Sequence, residues 1–248
     1  MSLPVLRPVL CLRSKSHSSD GWFVVSRRGY LIPKKERQLV DSTGGSAVYG
    51  EVMPEGIQSI MQRMNLEKND VFIDLGSGLG RSVIQIGLNQ PEVRSIGIEL
   101  SATRHEQAAW ALDTVQSCHG LPVTNISLTL GDITTCSLEG GTHFMLCSTA
   151  FSASGCRMIA ERLAATSTFK LLVTSRQLPP NPYLRKVGDF PCAYSWNLGG
   201  QAHVYAHHDL TKAPASCLSQ FLSRDGLYWL PHDREWHLPI VAEEDKLA

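Results

Sequence analysis

A mostly parallel α/β sheet with helices on both faces and a closing antiparallel hairpin is the architecture this sequence predicts, and three observations predict it. Short apolar runs alternate with amphipathic stretches from Asp70 onward; the first run ends in a glycine-rich turn, "DLGSGLG"; and a late segment, "CAYSWNLGGQAHVYAH", alternates about a central Gly-Gly pair. Strands that alternate with helices form a doubly wound, Rossmann-like sheet, whose ligands bind beyond the carboxyl ends of the strands.

Each element has its own local reason. In "PEGIQSIMQRMNL" the residues Ile57, Ile60, Met61 and Met64 recur at helical spacing, so an amphipathic helix leads into the domain. "DVFIDL" is a buried strand bounded by Asp70 and by glycines, and "LGRSVIQIGLNQ" is the helix after it. "EVRSIGIEL" is a second strand with Glu99 near its end, followed by a helix with Ser101 as N-cap and Gly120 as its stop. "NISLTLGDI", "HFMLCST" and "FKLLVTS" are three further strands, with the helix "SGCRMIAERLAAT" between the last two. Residues 1–45 mix Ser, Arg, Gly and Pro without sustained periodicity and predict little regular structure, with "SKSHSSDG" as a flexible link. The chain therefore divides into an N-terminal extension (1–45), a catalytic domain (46–210) and a C-terminal extension packed on it (211–248).

Composition excludes several classes. With 248 residues and 43% hydrophobic content a sizeable core is within reach, and 23 basic against 23 acidic residues leave no overall field. Charge is nonetheless uneven: residues 1–40 hold Arg7, Arg13, Lys15, Arg27, Arg28, Lys34, Lys35 and Arg37 against only Asp20 and Glu36, a pattern that suits a polyanion. The seven cysteines form no CxxC pair and show no regular spacing with histidine, so no metal site is indicated and a reducing compartment fits. No apolar run approaches the length of a membrane span.

The glycine turn and the strand ends carry the chemistry. Gly76, Gly78 and Gly80, with Ser77 between the first two, permit tight turning and close backbone approach to a ligand. Asp74 stands just before the turn, where a carboxylate suits a ligand bearing an amino group and positive charge better than a pyrophosphate. Glu99, twenty-five residues on, is placed to accept two ribose hydroxyls, and Asp132 with Ile133 to receive an adenine ring. Three acids at three successive strand ends point to S-adenosylmethionine as cofactor and to a class I methyltransferase fold.

"VYGE", about twenty-five residues upstream of the glycine turn, narrows the class. Together with "DVFIDLGSGLGRSVIQIGL" and "GIEL" it resembles the non-SET histone H3 lysine methyltransferases, the disruptor-of-telomeric-silencing family, whose strand and loop read almost as "FVDLGSGVGQVVLQ". Looser likeness continues through "LGDI", "CSTAFSASGCRMIAERLA", "LLVTSRQLP" and "YSWNLGGQAHVYAH", covering residues 48–208 in the family's order. The resemblance implies a histone-lysine N-methyltransferase that acts on the globular face of histone H3 in the nucleosome, in the nucleus on chromatin. It implies that Tyr49 and Glu51 belong to a loop closing on the cofactor, that Asp74 and Gly76 hold its methionine end, and that Phe151 and Trp196 line the channel for the target lysine. Ser148 and Thr149 stand where the family has two asparagines, and Val204 with Tyr205 where it has paired aromatics; both sites are expected at the channel. Two other readings share these residues: a methyltransferase of the same fold with another protein or a small molecule as substrate, and a chromatin module that binds the cofactor without turnover. The basic N-terminal region would supply non-specific DNA contact. His203 and His207 are expected on the surface rather than as a general base, and the sequence is silent on oligomeric state.

Overall fold

The computed structural model describes residues 10–16, 19–25, 31–119, 123–219 and 221. Arg7, Arg27, Arg28, Gly120, Trp229 and Trp236 lie outside them. In chain order the elements are strands β1 (Leu10–Ser16) and β2 (Ser19–Val25), helices α1 (Lys34–Ser42) and α2 (Pro54–Met64), β3 (Val71–Leu75), α3 (Arg81–Asn89), β4 (Arg94–Glu99), α4 (Ala102–His119) and β5 (Ile126–Leu130). There follow β6 (His143–Leu146), α5 (Ala153–Ala165), β7 (Leu171–Thr174), β8 (Leu184–Pro191), β9 (Gln201–His207) and the short α6 (Ala215–Leu218).

Strands β3 to β9 form one sheet in the order β5-β4-β3-β6-β7-β9-β8. β3, β4, β5, β6 and β7 are mutually parallel, β9 runs antiparallel to β7, and β8 antiparallel to β9. The reversed strand is thus inserted inside the sheet, and the edge strand β8 runs with the parallel set. Counted along the chain from β3 the order is 3-2-1-4-5-7-6, that of the class I methyltransferase fold, and the chain switches direction across the sheet between β3 and β6.

Parallel strands covered on both faces must be apolar on both, and β3, β6 and β7 are buried at every position. Alternation then sorts their side chains. Phe72, Met145, Leu171 and Val173 pack on one face with Ile57, Ile60 and Met64 of α2. Val71, Ile73, Phe144, Leu146 and Leu172 pack on the other with Ile159 and Leu163 of α5. Burial of each such large side chain contributes about 1.5–3 kcal/mol. Cys217, Leu218 and Phe221, at the start of the C-terminal extension, join the first face.

Three sequence expectations are corrected. The expected irregular N-terminal segment pairs β1 with β2 as an antiparallel hairpin, in register from Leu10–Val25 to Ser16–Ser19, and holds helix α1. α1 was not legible because it buries only Val40; it is fixed at a distance, Glu36 accepting from the Ser101 hydroxyl (2.5 Å), the Thr103 amide (3.1 Å) and the Thr103 hydroxyl (2.8 Å). The late hairpin begins at Leu184 rather than Cys192, and "CAYSWNLGG" is its connecting loop, with Tyr194 in isolated bridges to Val52 and Asn197. Val204 and Tyr205 do not reach the site. Val204 is fully buried in one core, and the Tyr205 hydroxyl accepts from the Leu178 amide (2.8 Å) in the other.

Candidate functional site

Beyond the carboxyl ends of β3 and β4, a cavity of about 360 Å³ is enclosed by the glycine turn, by residues 40–52 and by the loops after β5 and β6. Asp74, Gly76, Ser77, Gly78, Glu99, Asp132 and Ile133 all line it, as do Tyr49, Glu51, Phe151 and Trp196. Ser148 and Gly80 do not. The Ser148 hydroxyl is turned away, donating to the Arg176 carbonyl and accepting from its amide, both at 2.9 Å; its neighbour Thr149 faces the cavity. Gly80 is the left-handed N-cap of α3 (φ 72°), where a Cβ would stand 3.1 Å from that of Ala108.

The floor is built from backbone. Gly76 and Ser77 both donate to the Ile98 carbonyl (2.9 and 3.0 Å), which folds the turn back onto β4. Glu99 accepts from the Gly78 amide through one oxygen and from the Ser101 amide through the other, both at 2.8 Å, so its carboxylate is held rigidly at the rim. Asp132 accepts from the Thr134 amide (2.8 Å), and the Arg162 guanidinium of α5 donates to the Ile133 and Cys136 carbonyls, which fixes the loop carrying Asp132 and Ile133.

Asp74 is the most perturbed group of the floor. It is 2% exposed; Oδ2 accepts from the Ser82 hydroxyl, and Oδ1 has no partner. Burial, helped by the nearby Glu99 and opposed by Ser82, raises its pKa to about 7. Because the folded value lies above the unfolded one, the neutral form stabilises the protein at low pH, and that stability is lost as pH climbs from about 4 through about 7. An ammonium group bound at Oδ1 has the opposite preference. Affinity for S-adenosylhomocysteine, followed calorimetrically between about pH 6 and 8, is therefore expected to rise with pH. Asp74→Asn is expected to flatten that rise and weaken binding about ten- to a hundredfold at the upper end.

The roof is the "VYGE" segment. The Tyr49 ring sits on the turn so closely that a Cβ at Gly78 would come within 2.8 Å of it. Its hydroxyl donates to Glu51, whose other oxygen pairs with the Arg81 guanidinium at 2.8 Å. Burial raises the Tyr49 pKa well above its ordinary value, so the phenol stays a donor, and burial also raises that of Glu51. Arg104 of α4 lies over the Tyr49 ring (4.7 Å to its centroid) and donates to the Ala47 carbonyl (2.8 Å). The roof is zipped to the β8–β9 loop: Glu51 donates to the Ser195 hydroxyl (3.1 Å), Ser195 to the Glu51 carbonyl (2.9 Å) and Met53 to the Ala193 carbonyl (2.9 Å). Trp196 stacks on Tyr194 (4.8 Å, 21°) and covers Gly50, where a Cβ would meet its ring at 2.4 Å.

Sequence reasoning missed Arg81, Arg104 and Cys147, all on the cavity wall, and it placed Val40, Thr43 and Gly45, also on that wall, in the N-terminal extension. His203 pairs with Asp189 on β8 and, like His207, is not part of the cavity wall. Among the described residues no group of three or more metal-ligating side chains occurs, and no helix is long and apolar enough to cross a membrane.

The donor set fits S-adenosylmethionine: a buried acid with an orphaned oxygen for an ammonium, a rim carboxylate for ribose hydroxyls, and Asp132 with Ile133 for an adenine. Residues 32–135 match the family model described as histone methylation protein DOT1. The histone-lysine N-methyltransferase, H3 lysine-79 specific, of Caenorhabditis elegans is 45% identical over 56 residues, 23% of this chain and 6% of that protein. Its namesake from Kluyveromyces lactis is 36% identical over 70 residues, 28% and 12% respectively, so the chain aligns with only a small part of these relatives. An RNA methyltransferase from Salinibacter ruber, solved with S-adenosyl-L-homocysteine, superposes with a TM-score of 0.47 at 17% identity, covering 64% of this chain and 94% of that one; the fold assignment rests on the strand order instead. The match spans residues 32–135, less than half of the chain, and over that stretch the chain is similar to the DOT1 histone methylation proteins.

Proposed function

We propose that the protein is an S-adenosylmethionine-dependent histone-lysine N-methyltransferase acting on a lysine of the globular face of histone H3 within the nucleosome. The observation that carries this reading is the seating of Tyr49 on Gly78, because it joins the family-specific "VYGE" segment to the cofactor turn in one closed structure. The cofactor, when bound, supplies a methyl group on a sulfonium centre. Asp74 and the Gly76–Gly78 backbone hold its amino-acid end, Glu99 the ribose, and Asp132 with Ile133 the adenine. Tyr49 and its Glu51 and Arg81 partners exclude water from above.

Phe151 and the 45% exposed Trp196 wall the opening through which a lysine side chain enters. Lysine titrates near 10.4 in water, and an aromatic passage that desolvates it favours the neutral amine required for an in-line displacement. Alignment then does the rest, with reacting atoms about 3–3.5 Å apart. Ser148 and Thr149 stand where the resembling family has two asparagines; of the two only Thr149 lines the cavity, beside Cys147, so a smaller polar wall faces the amine.

Nucleosomal DNA would meet the basic N-terminal region, in keeping with work on chromatin in the nucleus. Lys34, Lys35 and Arg37 are exposed on α1, the helix whose Val40 reaches the cavity wall. Replacing Arg27, Arg28, Lys34 and Lys35 together with alanine is expected to weaken nucleosome binding and to reduce its log–log salt slope by about 3–4, at roughly 0.9 per phosphate contact. Unchanged binding and slope in a gel-shift titration would remove DNA from the account. The reading as a whole is tested by mass spectrometry of histones after incubation of nucleosomes with the protein and cofactor. Methylated lysine on H3 supports it, and turnover only on another protein or a small molecule favours a same-fold enzyme of different substrate.

A further inference from the structure

Thr149 and Phe151, both on the cavity wall, are carried by a single 3-10 turn, Ser148–Ala150, between β6 and α5. Such a turn closes with few bonds of its own, here from the Ala150 amide to the Cys147 carbonyl (3.0 Å) and from the Phe151 amide to the Ser148 carbonyl (3.2 Å). Its position therefore depends on outside partners. Gly44 and Gly45 brace it from one side, through the Ser152 amide on the Gly44 carbonyl (2.9 Å) and a bridge between Gly45 and Phe151. Arg176, two residues past β7, braces it from another. Its Nη2 donates to the Phe151 carbonyl (3.0 Å) and to the Ser148 carbonyl (3.3 Å), so one planar guanidinium joins both ends of the turn.

The clamp is reciprocal. The Ser148 hydroxyl donates to the Arg176 carbonyl and accepts from its amide, and the Thr174 hydroxyl donates to the same carbonyl, all at 2.9 Å, which fixes the backbone from which the guanidinium reaches back. Next to it the Thr149 amide donates to the Ser175 hydroxyl (3.3 Å). Ser148 is one of the two positions at which this chain departs from the resembling family, so the clamp is built on that departure. The cofactor floor is held by other bonds, those of Glu99 to the Gly78 and Ser101 amides and of the Asp132 loop to Thr134 and Arg162, and Arg176 takes part in none of them. We infer that Arg176 is a positioning residue for the methyl acceptor: it holds Phe151 and Thr149 in place at the lysine passage and leaves cofactor binding to the floor. This rests on the lysine methyltransferase reading above and deepens it on the acceptor side. The competing role for an exposed arginine is a DNA phosphate contact. A phosphate needs a cation, which lysine retains, whereas joining two carbonyls draws on the fixed fork that lysine lacks.

Three measurements on the full chain and on its Arg176→Ala and Arg176→Lys variants test this: methyl transfer to nucleosomes at saturating cofactor, calorimetry with S-adenosylhomocysteine, and hydrogen exchange of the Ala150 and Phe151 amides. Arg176→Ala is expected to speed that exchange about tenfold, as loss of a charge-assisted bond allows. Its kcat/KM for nucleosomes is expected to fall about ten- to a hundredfold, the cost of misplacement beside a reacting centre, with the affinity for S-adenosylhomocysteine unchanged. Arg176→Lys is expected to recover only part of the transfer, and by the same factor at low and high salt. Full recovery by lysine, with a loss in the alanine variant that varies with salt, overturns the inference in favour of a phosphate contact. Cofactor affinity that falls together with transfer also overturns it and leaves Arg176 as general framework, and so does unchanged exchange in the turn. A wild-type protein that binds S-adenosylhomocysteine yet transfers nothing to nucleosomes removes the acceptor reading and this role with it, whereas the other contrary outcomes leave that reading intact.

Discussion

Gly76→Arg is expected to abolish binding of S-adenosylhomocysteine in calorimetry while leaving a folded protein. Gly76 is the exposed member of the cofactor turn, at φ 89°, and a Cβ there would meet nothing nearer than the Phe151 ring at 3.7 Å. An arginine side chain therefore grows into the cavity without striking the core, and its charge repels a sulfonium. The backbone cost of a left-handed non-glycine residue is about 1–2 kcal/mol. In a chain of this size that lowers Tm by about 2–4 °C per kcal/mol, a shift measurable by calorimetry and far short of unfolding. Retained binding would place the cofactor elsewhere.

Tyr49→Ala is the second large effect. The substitution removes the ring that seals Gly78 and the donor that holds Glu51, leaving that buried carboxylate with Arg81 alone. Methyl transfer is expected to fall by about two orders of magnitude or more, since misplacement by an ångström at a reacting centre costs about a hundredfold. Tyr49 belongs to the roof rather than to either large apolar cluster, so the melting temperature is expected to change little. Tyr49→Phe keeps the ring and loses only the bond to Glu51. Its transfer rate is expected to fall about tenfold, in line with one hydrogen bond to a charged group. Equal rates for all three proteins would detach the "VYGE" segment from the chemistry.

Much of this site was legible because topology does the assembling. Asp74, Glu99 and Asp132 lie far apart in sequence, yet each follows or ends a strand of a parallel sheet, and the carboxyl ends of such strands open on one crevice. The central elements were legible for a related reason: strands buried on both faces are apolar runs, and helix α2 ahead of them buries Ile57, Ile60, Met61 and Met64 at helical spacing. The rest depended on contacts that no local pattern announces. Arg81 and Arg104 sit on helices, where arginine is ordinarily solvated, and only the fold places them against Glu51 and Tyr49. Ser148 was expected at the channel because of its position after β6. The backbone of Arg176, twenty-eight residues away, turns its hydroxyl aside.

The β8–β9 loop shows the same limit from the other side. Tyr194 and Trp196 alternate with small residues as a strand would, and they were read as one. In the fold the aromatic pair stacks and lies on the roof, while the true strand, "LRKVGDFP", carries charges, a glycine and a proline that hide it. Its bulge between Lys186 and Gly188 admits the Phe221 ring, which a Cβ at Gly188 would meet at 2.6 Å. The segment that looked like framework is part of the site, and a stretch to which the sequence pattern assigned no element is framework.

The central claim is transfer to a lysine that only the assembled nucleosome presents. Incubating the protein with labelled S-adenosylmethionine and either intact nucleosomes or free histones, followed by mapping of the labelled residue, tests it most directly. The account predicts label on a lysine of the globular face of H3 in nucleosomes and little on free histones. Label on free histones alone, or no label on either from a protein that binds the cofactor, would contradict it.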